Sequence, residues 1–200
     1  RAPPARDPVE ATSQRPTQLP KQAVAAYDLA HGLRRQWSTA DVRDQESRAF
    51  YDSACFHGPP AADEHSVYAG AYVLENDVKA YLCSIDIATG RLNWKSFLCS
   101  EQLSSFASVN PRPGLAPCLV DGLVNWCTNQ GAIGGFDVLT GEVRWLLQYP
   151  RRLSYRYGGN MDLVPGWSDN PPVVSERVLY VAPQDGEHLW VADARTGRPH

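Results

Sequence analysis

The 200-residue sequence predicts an all-β chain, an open arc of a β-propeller with about three to four four-stranded antiparallel blades. Three observations predict it. First, one phrase in which a Gly follows an Asp by four residues is written four times: Asp28 to Gly32, Asp86 to Gly90, Asp137 to Gly141 and Asp193 to Gly197. The Asp-to-Asp intervals are 58, 51 and 56 residues, a period typical of solenoids, propellers and arrays. Second, a tryptophan follows the Gly at a nearly fixed distance, four residues on at Trp94 and Trp145 and five on at Trp37. Third, an upstream phrase also repeats. Residues 59–68, beginning Pro59-Pro60, align without a gap with residues 171–180, beginning Pro171-Pro172, and residues 116–125 form the middle copy.

The elements follow in order. Residues 1–21 carry five prolines by Pro20 and no apolar periodicity, so they are expected to be a linker or loop. Residues 22–40 are expected to be a partial blade contributing a late strand pair. There His31 replaces the usual Thr and Trp37 comes one residue late, which predicts an irregular turn. Residues 59–98 read as a full blade: a strand opened by Pro59-Pro60, a polar turn, a second strand, the turn Asn76-Asp77, a third strand running into Asp86, and a fourth begun by Trp94. Residues 116–149 repeat that order, with Asn129-Gln130-Gly131 as the middle turn. Residues 171–200 repeat it again, with Gln184-Asp185-Gly186 as the turn, but lack the last strand. The arc is therefore expected to be a fragment of a larger propeller, with the remaining blades as its first partners.

The repeated phrase has a simple chemistry. An Asp carboxylate can accept backbone N–H groups one or two residues on and preform a turn. The Gly supplies positive φ without a Cβ clash. A Trp at one fixed place per repeat suggests a regular contact between neighbouring blades. The expected structural set is thus Asp28, Gly32, Trp37, Asp86, Gly90, Trp94, Asp137, Gly141, Trp145, Asp193 and Gly197, with the tryptophans largely buried. A small residue stands two before the Asp at Ala26, Ser84 and Gly135, and Val191 departs from this.

Residues 84–94 and 135–145 resemble the repeat of PQQ-like β-propellers, roughly Ala-x-Asp-x-x-Thr-Gly-x-x-x-Trp. The stretches Phe56-His57-Gly58-Pro59-Pro60 and Gln148-Tyr149-Pro150-Arg151 resemble segments of large bacterial PQQ-like repeat proteins of uncharacterised function. The resemblance covers residues 22–200. It implies a PQQ-like propeller of the periplasm or cell envelope, and it leaves two functions open, because the superfamily includes both a periplasmic lipoprotein of outer-membrane assembly and quinoprotein alcohol dehydrogenases. In those dehydrogenases the quinone PQQ stacks between a Trp and a vicinal disulfide, beside Ca²⁺ held by carboxylate and amide oxygens. This chain has no Cys-Cys dipeptide. No cofactor is therefore expected, and PQQ with calcium belongs to the alternative reading.

A net charge of −3 gives no reason to expect nucleic acid as a partner. No apolar run reaches the 18 or so residues of a membrane span. Five cysteines form no Cys-x-x-Cys pair. Cys83 and Cys118 are expected to be buried small hydrophobes, and disulfides among Cys55, Cys99 and Cys127 stay open. The five histidines show no metal-ligand spacing, and no catalytic residue can be nominated.

The clearest break in the repeat is residues 149–160, which interleave three Arg with three Tyr. Arg and Tyr are favoured at binding hot spots, and loops on rigid scaffolds commonly carry function. Arg151, Arg152, Tyr155, Arg156 and Tyr157 are the candidate binding loop, with the arginines expected on the surface and dispensable for stability. The predicted function is a non-catalytic scaffold or protein-binding module.

Overall fold

Short apolar runs punctuated by Gly, Asp and Asn turns fold into four successive antiparallel blade sheets and one further two-stranded hairpin. The structure, a computed structural model, describes residues 22–102, 114–151, 154–155, 161–162, 167 and 170–200. The first sheet is the hairpin of β1 (Ala25–Asp28) and β2 (Arg34–Ser38), followed by helix α1 (Gln45–Tyr51). The second contains β3 (Ala54–Phe56), β4 (Ala61–Ala62), β5 (Ser66–Leu74), β6 (Asp77–Asp86) and β7 (Leu92–Gln102) in the order β3-β5-β6-β7, with β4 also paired to β5. The third is β8 (Cys118–Val120), β9 (Leu123–Cys127), β10 (Ala132–Asp137) and β11 (Val143–Gln148), laid down in chain order. A small hairpin of β12 (Ser154–Tyr155) and β13 (Met161–Asp162) precedes the fourth sheet. That sheet has β14 (Val173–Ser175), β15 (Val178–Val181) and β16 (Trp190–Asp193) in chain order. The fold is an all-β arc of successive antiparallel blades.

Each Asp-to-Gly phrase forms a tight turn. At Asp137 the carboxylate accepts the N–H groups of Leu139 and Thr140, both at 3.0 Å, and the Gly141 N–H closes the turn onto the Asp137 carbonyl at 2.9 Å. Asp86 and Asp193 do the same, each also taking the hydroxyl of the turn threonine, Thr89 or Thr196. Gly141 adopts φ +72°, which a residue with a Cβ enters at a cost. The first copy is irregular because Leu33 also takes positive φ, +59°, and this extra residue places Trp37 one position later. The pairing register nonetheless recovers: Trp37 faces Ala26, Trp94 faces Ser84 and Trp145 faces Gly135. The small residue lies beneath the indole. A Cβ on Gly135 would meet the Trp145 ring.

The tryptophans join one sheet to the next. The indole N–H of Trp37 donates to the Ile87 carbonyl at 2.8 Å, that of Trp94 to Val138 at 3.1 Å, and that of Trp145 to Ala194 at 3.2 Å. Each acceptor is the residue just after the turn Asp of the following sheet. The N–H of the same residue is held by its own sheet, as in Val138 to the Gly122 carbonyl at 3.1 Å. Each ring also lies flat against the following turn glycine: Trp37 on Gly90, Trp94 on Gly141 and Trp145 on Gly197. Trp37 and Trp145 are buried, whereas Trp94 is half-buried. Three apolar cores fill the seams: Trp37, Phe56 and Ile85 in the first, Tyr72, Trp126 and Phe136 in the second, and Trp145, Leu179 and Val181 in the third.

Two features differ from the sequence expectation. Helix α1 has only seven residues, too short to leave a periodic signal, and tertiary contacts hold it. The Asp44 carboxylate caps it through the Ser47 N–H at 3.0 Å and takes Arg91 at 3.0 Å, while the Tyr51 hydroxyl donates to the Gly90 carbonyl at 3.1 Å. In addition, the second sheet begins upstream of Pro59, at β3. Pro59 and Pro60 do not open the inner strand but interrupt it between β3 and β4, where residues without N–H donors cannot continue the ladder.

Candidate functional site

The first three Asp-to-Gly turns connect the last two strands of their sheets, the fourth follows β16, and all four lie at one end of the sheets. The β9–β10 and β15–β16 connections and the chain leaving β11 lie at the opposite end, because antiparallel strands alternate direction. The turn end is occupied by the interlocking just described. Its carboxylates are half-buried and held low, with Asp137 at about 2 because Arg144 and the turn N–H groups stabilise its charge.

The opposite end carries a polar network. Thr128-Asn129-Gln130-Gly131 turns between β9 and β10, closed by the Thr128 hydroxyl donating to Ala132 at 3.0 Å and accepting the Gln130 N–H at 3.0 Å. Tyr149, just after β11, is tied to this turn by its N–H on the Gly131 carbonyl at 3.0 Å. Its hydroxyl donates to Asp185 at 2.6 Å and lies 3.6 Å from the Cys127 sulfur. Asp185 is fully buried. Its second oxygen accepts Arg151 Nε at 2.7 Å, while Arg151 Nη1 donates to Glu101 of β7, also at 2.7 Å. The Arg151 stem packs on Gly131, where a Cβ would stand 3.1 Å from Arg151 Cδ. One chain of contacts, buried at Tyr149 and Asp185 and half-buried at Arg151 and Glu101, therefore runs from the second sheet through the third to the fourth.

The chemistry of this network is closed. Both Asp185 oxygens have donors, so no unengaged base is presented. Burial pushes the Cys127 thiol up to about 12, which keeps it protonated and non-nucleophilic at neutral pH. Burial, with Cys127 and Asp185 nearby, likewise drives the Tyr149 phenol far up. Among the described residues, no group of three or more His, Cys, Asp or Glu is placed to hold a metal ion. Other buried polar atoms are left without partners: His57 Nε2, Gln130 Nε2 and both amide atoms of Asn125. Elsewhere, a groove of about 620 Å³ follows β1, lined by Trp37, Pro60, Ala61, Val67 and Ile87.

The candidate binding loop is placed unevenly. Arg151 is not a dispensable surface group: its side chain is 17% exposed and paired on both sides. Tyr155 lies in β12, and Arg152, Arg156 and Tyr157 lie outside the described residues. The sequence expectation missed Tyr149, Asp185 and Glu101 as a unit. Asp185 reads locally as a turn residue, and only its burial beside Arg151 shows its partner.

No curated protein matches the chain. Among solved structures, it is similar to a europium-containing methanol dehydrogenase (TM-score 0.52, 14% identity, 88% of this chain and 37% of that one). It is also similar to quinohemoprotein alcohol dehydrogenase ADHIIG from Pseudomonas putida HK5 (TM-score 0.52, 19% identity, 92% and 31%). BamB from Moraxella catarrhalis matches with a TM-score of 0.45 at 20% identity, over 72% of this chain and 35% of that one. The chain thus spans about a third of the length of each. These identities speak to fold alone. Residues 20–160 match the family model described as outer membrane protein assembly factor BamB, and by that match over most of its length the chain belongs to this family of PQQ-like β-propeller repeat proteins.

Proposed function

We propose that this chain is a non-catalytic propeller scaffold that binds a protein partner of the cell envelope through the loop end of its blades, at residues 151–157. The observation that carries the reading is the closed network around Arg151. Its acid, base and thiol groups are spent on one another and fix Arg151, the residue at which the Arg- and Tyr-rich stretch begins, and rigid scaffolds commonly support recognition segments in this way. The family description, an outer-membrane protein assembly factor, supports a protein-binding role in the periplasm or envelope. Among the described residues, no helix is long and apolar enough to cross a membrane.

The alternative is a PQQ-dependent oxidoreductase, favoured by the fold shared with the two dehydrogenases. The described residues do not fit that cofactor. The sequence has no adjacent cysteines, and the buried carboxylate Asp185 is already engaged by Arg151 and Tyr149.

The test is affinity capture from an envelope extract with the variant Arg152→Ala/Arg156→Ala/Tyr157→Ala, which spares Arg151. Loss of partner capture at an unchanged melting temperature is expected. Undiminished capture by the variant, or saturable PQQ binding with alcohol-dependent dye reduction by the intact protein, would overturn the reading.

A further inference from the structure

Propeller blades contact their neighbours, so a direct link across three of them needs a cause. Glu101 closes β7 in the second sheet, Asp185 sits in the β15–β16 connection of the fourth, and the third sheet stands between them. Arg151 reaches both, through Nη1 and Nε at 2.7 Å each. We propose that Arg151 is a clasp that couples the loop ends of the second and fourth sheets, so that these non-adjacent blades open and close as one unit.

The residue type is decisive. A guanidinium carries donors in a rigid planar fork and can serve two carboxylates on different sides, whereas an ammonium is a single point charge. Location adds strength, since Arg151 is 17% exposed and Asp185 wholly enclosed, where solvent screens little. Asp185 cannot be abandoned cheaply, so a change that pulls Arg151 toward or away from Glu101 is felt at Asp185. Secondary ties stiffen the far side: Arg151 and Gly186 form an antiparallel bridge, Tyr149 shares Asp185, and the Gln184 N–H donates to Asn129 Oδ1 at 3.1 Å. On the near side, the Cys99 sulfur lies 3.6 Å from both Thr128 Oγ1 and Gln130 Oε1. This coupling stands whether or not the loop binds a partner.

Hydrogen exchange on the intact protein tests it, because local opening shows directly in amide protection. Glu101→Gln keeps the shape and removes one charge. It should speed exchange in the segment Gln184–Glu187 of the fourth sheet by about fivefold, the low end of site-to-site coupling. Arg151→Lys should do the same. Coupling is reciprocal, so Asp185→Asn should speed exchange at Ser100–Gln102 in β7. Arg144→Gln, which breaks an ion pair at the turn end of the third sheet, should leave both segments unchanged. Should Asp185→Asn fail to fold, Glu101→Gln still decides. Exchange changes confined to the substituted sheet, or an equal rise from Arg144→Gln, would overturn the clasp.

Discussion

Replacing Gly141 by Ala separates the two demands that the inter-blade lock places on one position. The first is backbone: Gly141 sits at φ +72°, and an L-residue in the left-handed region costs about 1–2 kcal/mol. The second is space. A Cβ there would stand 2.6 Å from Cδ2 and Cε3 of Trp94, so the indole must shift from the turn on which it packs. Overpacking of this kind costs about 1–3 kcal/mol. The two together predict a loss of about 2–5 kcal/mol. Gly122 is the internal control, since it has φ +78° and nothing within 4 Å of its would-be Cβ. Gly122→Ala should therefore cost only the backbone share, about 1–2 kcal/mol. Urea unfolding of the two variants measures the difference, and the Trp94→Ala background completes a double-mutant cycle. With the indole removed, Gly141→Ala should cost clearly less and approach Gly122→Ala, the Ser96 hydroxyl 2.8 Å from the Cβ being the one close neighbour left. Equal costs in the parent protein, or an unchanged Gly141→Ala penalty without Trp94, would refute the lock.

Trp145→Ala should destabilise by about 3–5 kcal/mol in the same assay, because it empties a buried site and leaves the Ala194 carbonyl without its donor. Trp145→Phe, which keeps most of the ring, should lose clearly less. His57 predicts a pH dependence. Burial holds its imidazole pKa below the ordinary 6.5, so the unfolded chain takes up a proton that the folded one resists. Stability is then full above the unfolded value and declines as pH falls below it. The melting temperature should drop between about pH 7 and pH 5, and His57→Asn should flatten that slope.

The fold was legible because its information is local and repeated. Asp, Gly and Trp at fixed spacing encode a turn and the ring that docks on it, and each copy reinforces the others. What escaped was either short or long-range. Helix α1 is held by Asp44, Ser47 and Tyr51 against a turn some 40 residues away, and seven residues of sequence carry no sign of that. Pro59-Pro60 looks like the start of a strand, yet β3 pairs with the far half of β5 and the prolines mark a break inside the inner strand. At the candidate site, Arg151 was visible as a departure from the repeat, but its partners at 101 and 185 lie on other sheets. An arginine facing solvent and one bridging two carboxylates look the same in a sequence. Burial is what distinguishes them.

The proposed function puts cohesion at one end of the blades and recognition at the other. Running thermal unfolding and envelope-partner capture side by side on Gly141→Ala and on Arg152→Ala/Arg156→Ala/Tyr157→Ala tests it most directly. A crossed result is expected: a lower melting temperature with capture retained below that temperature for the first, and an unchanged melting temperature with capture lost for the second. Capture lost in Gly141→Ala while still folded, together with capture intact in the loop variant, would contradict it.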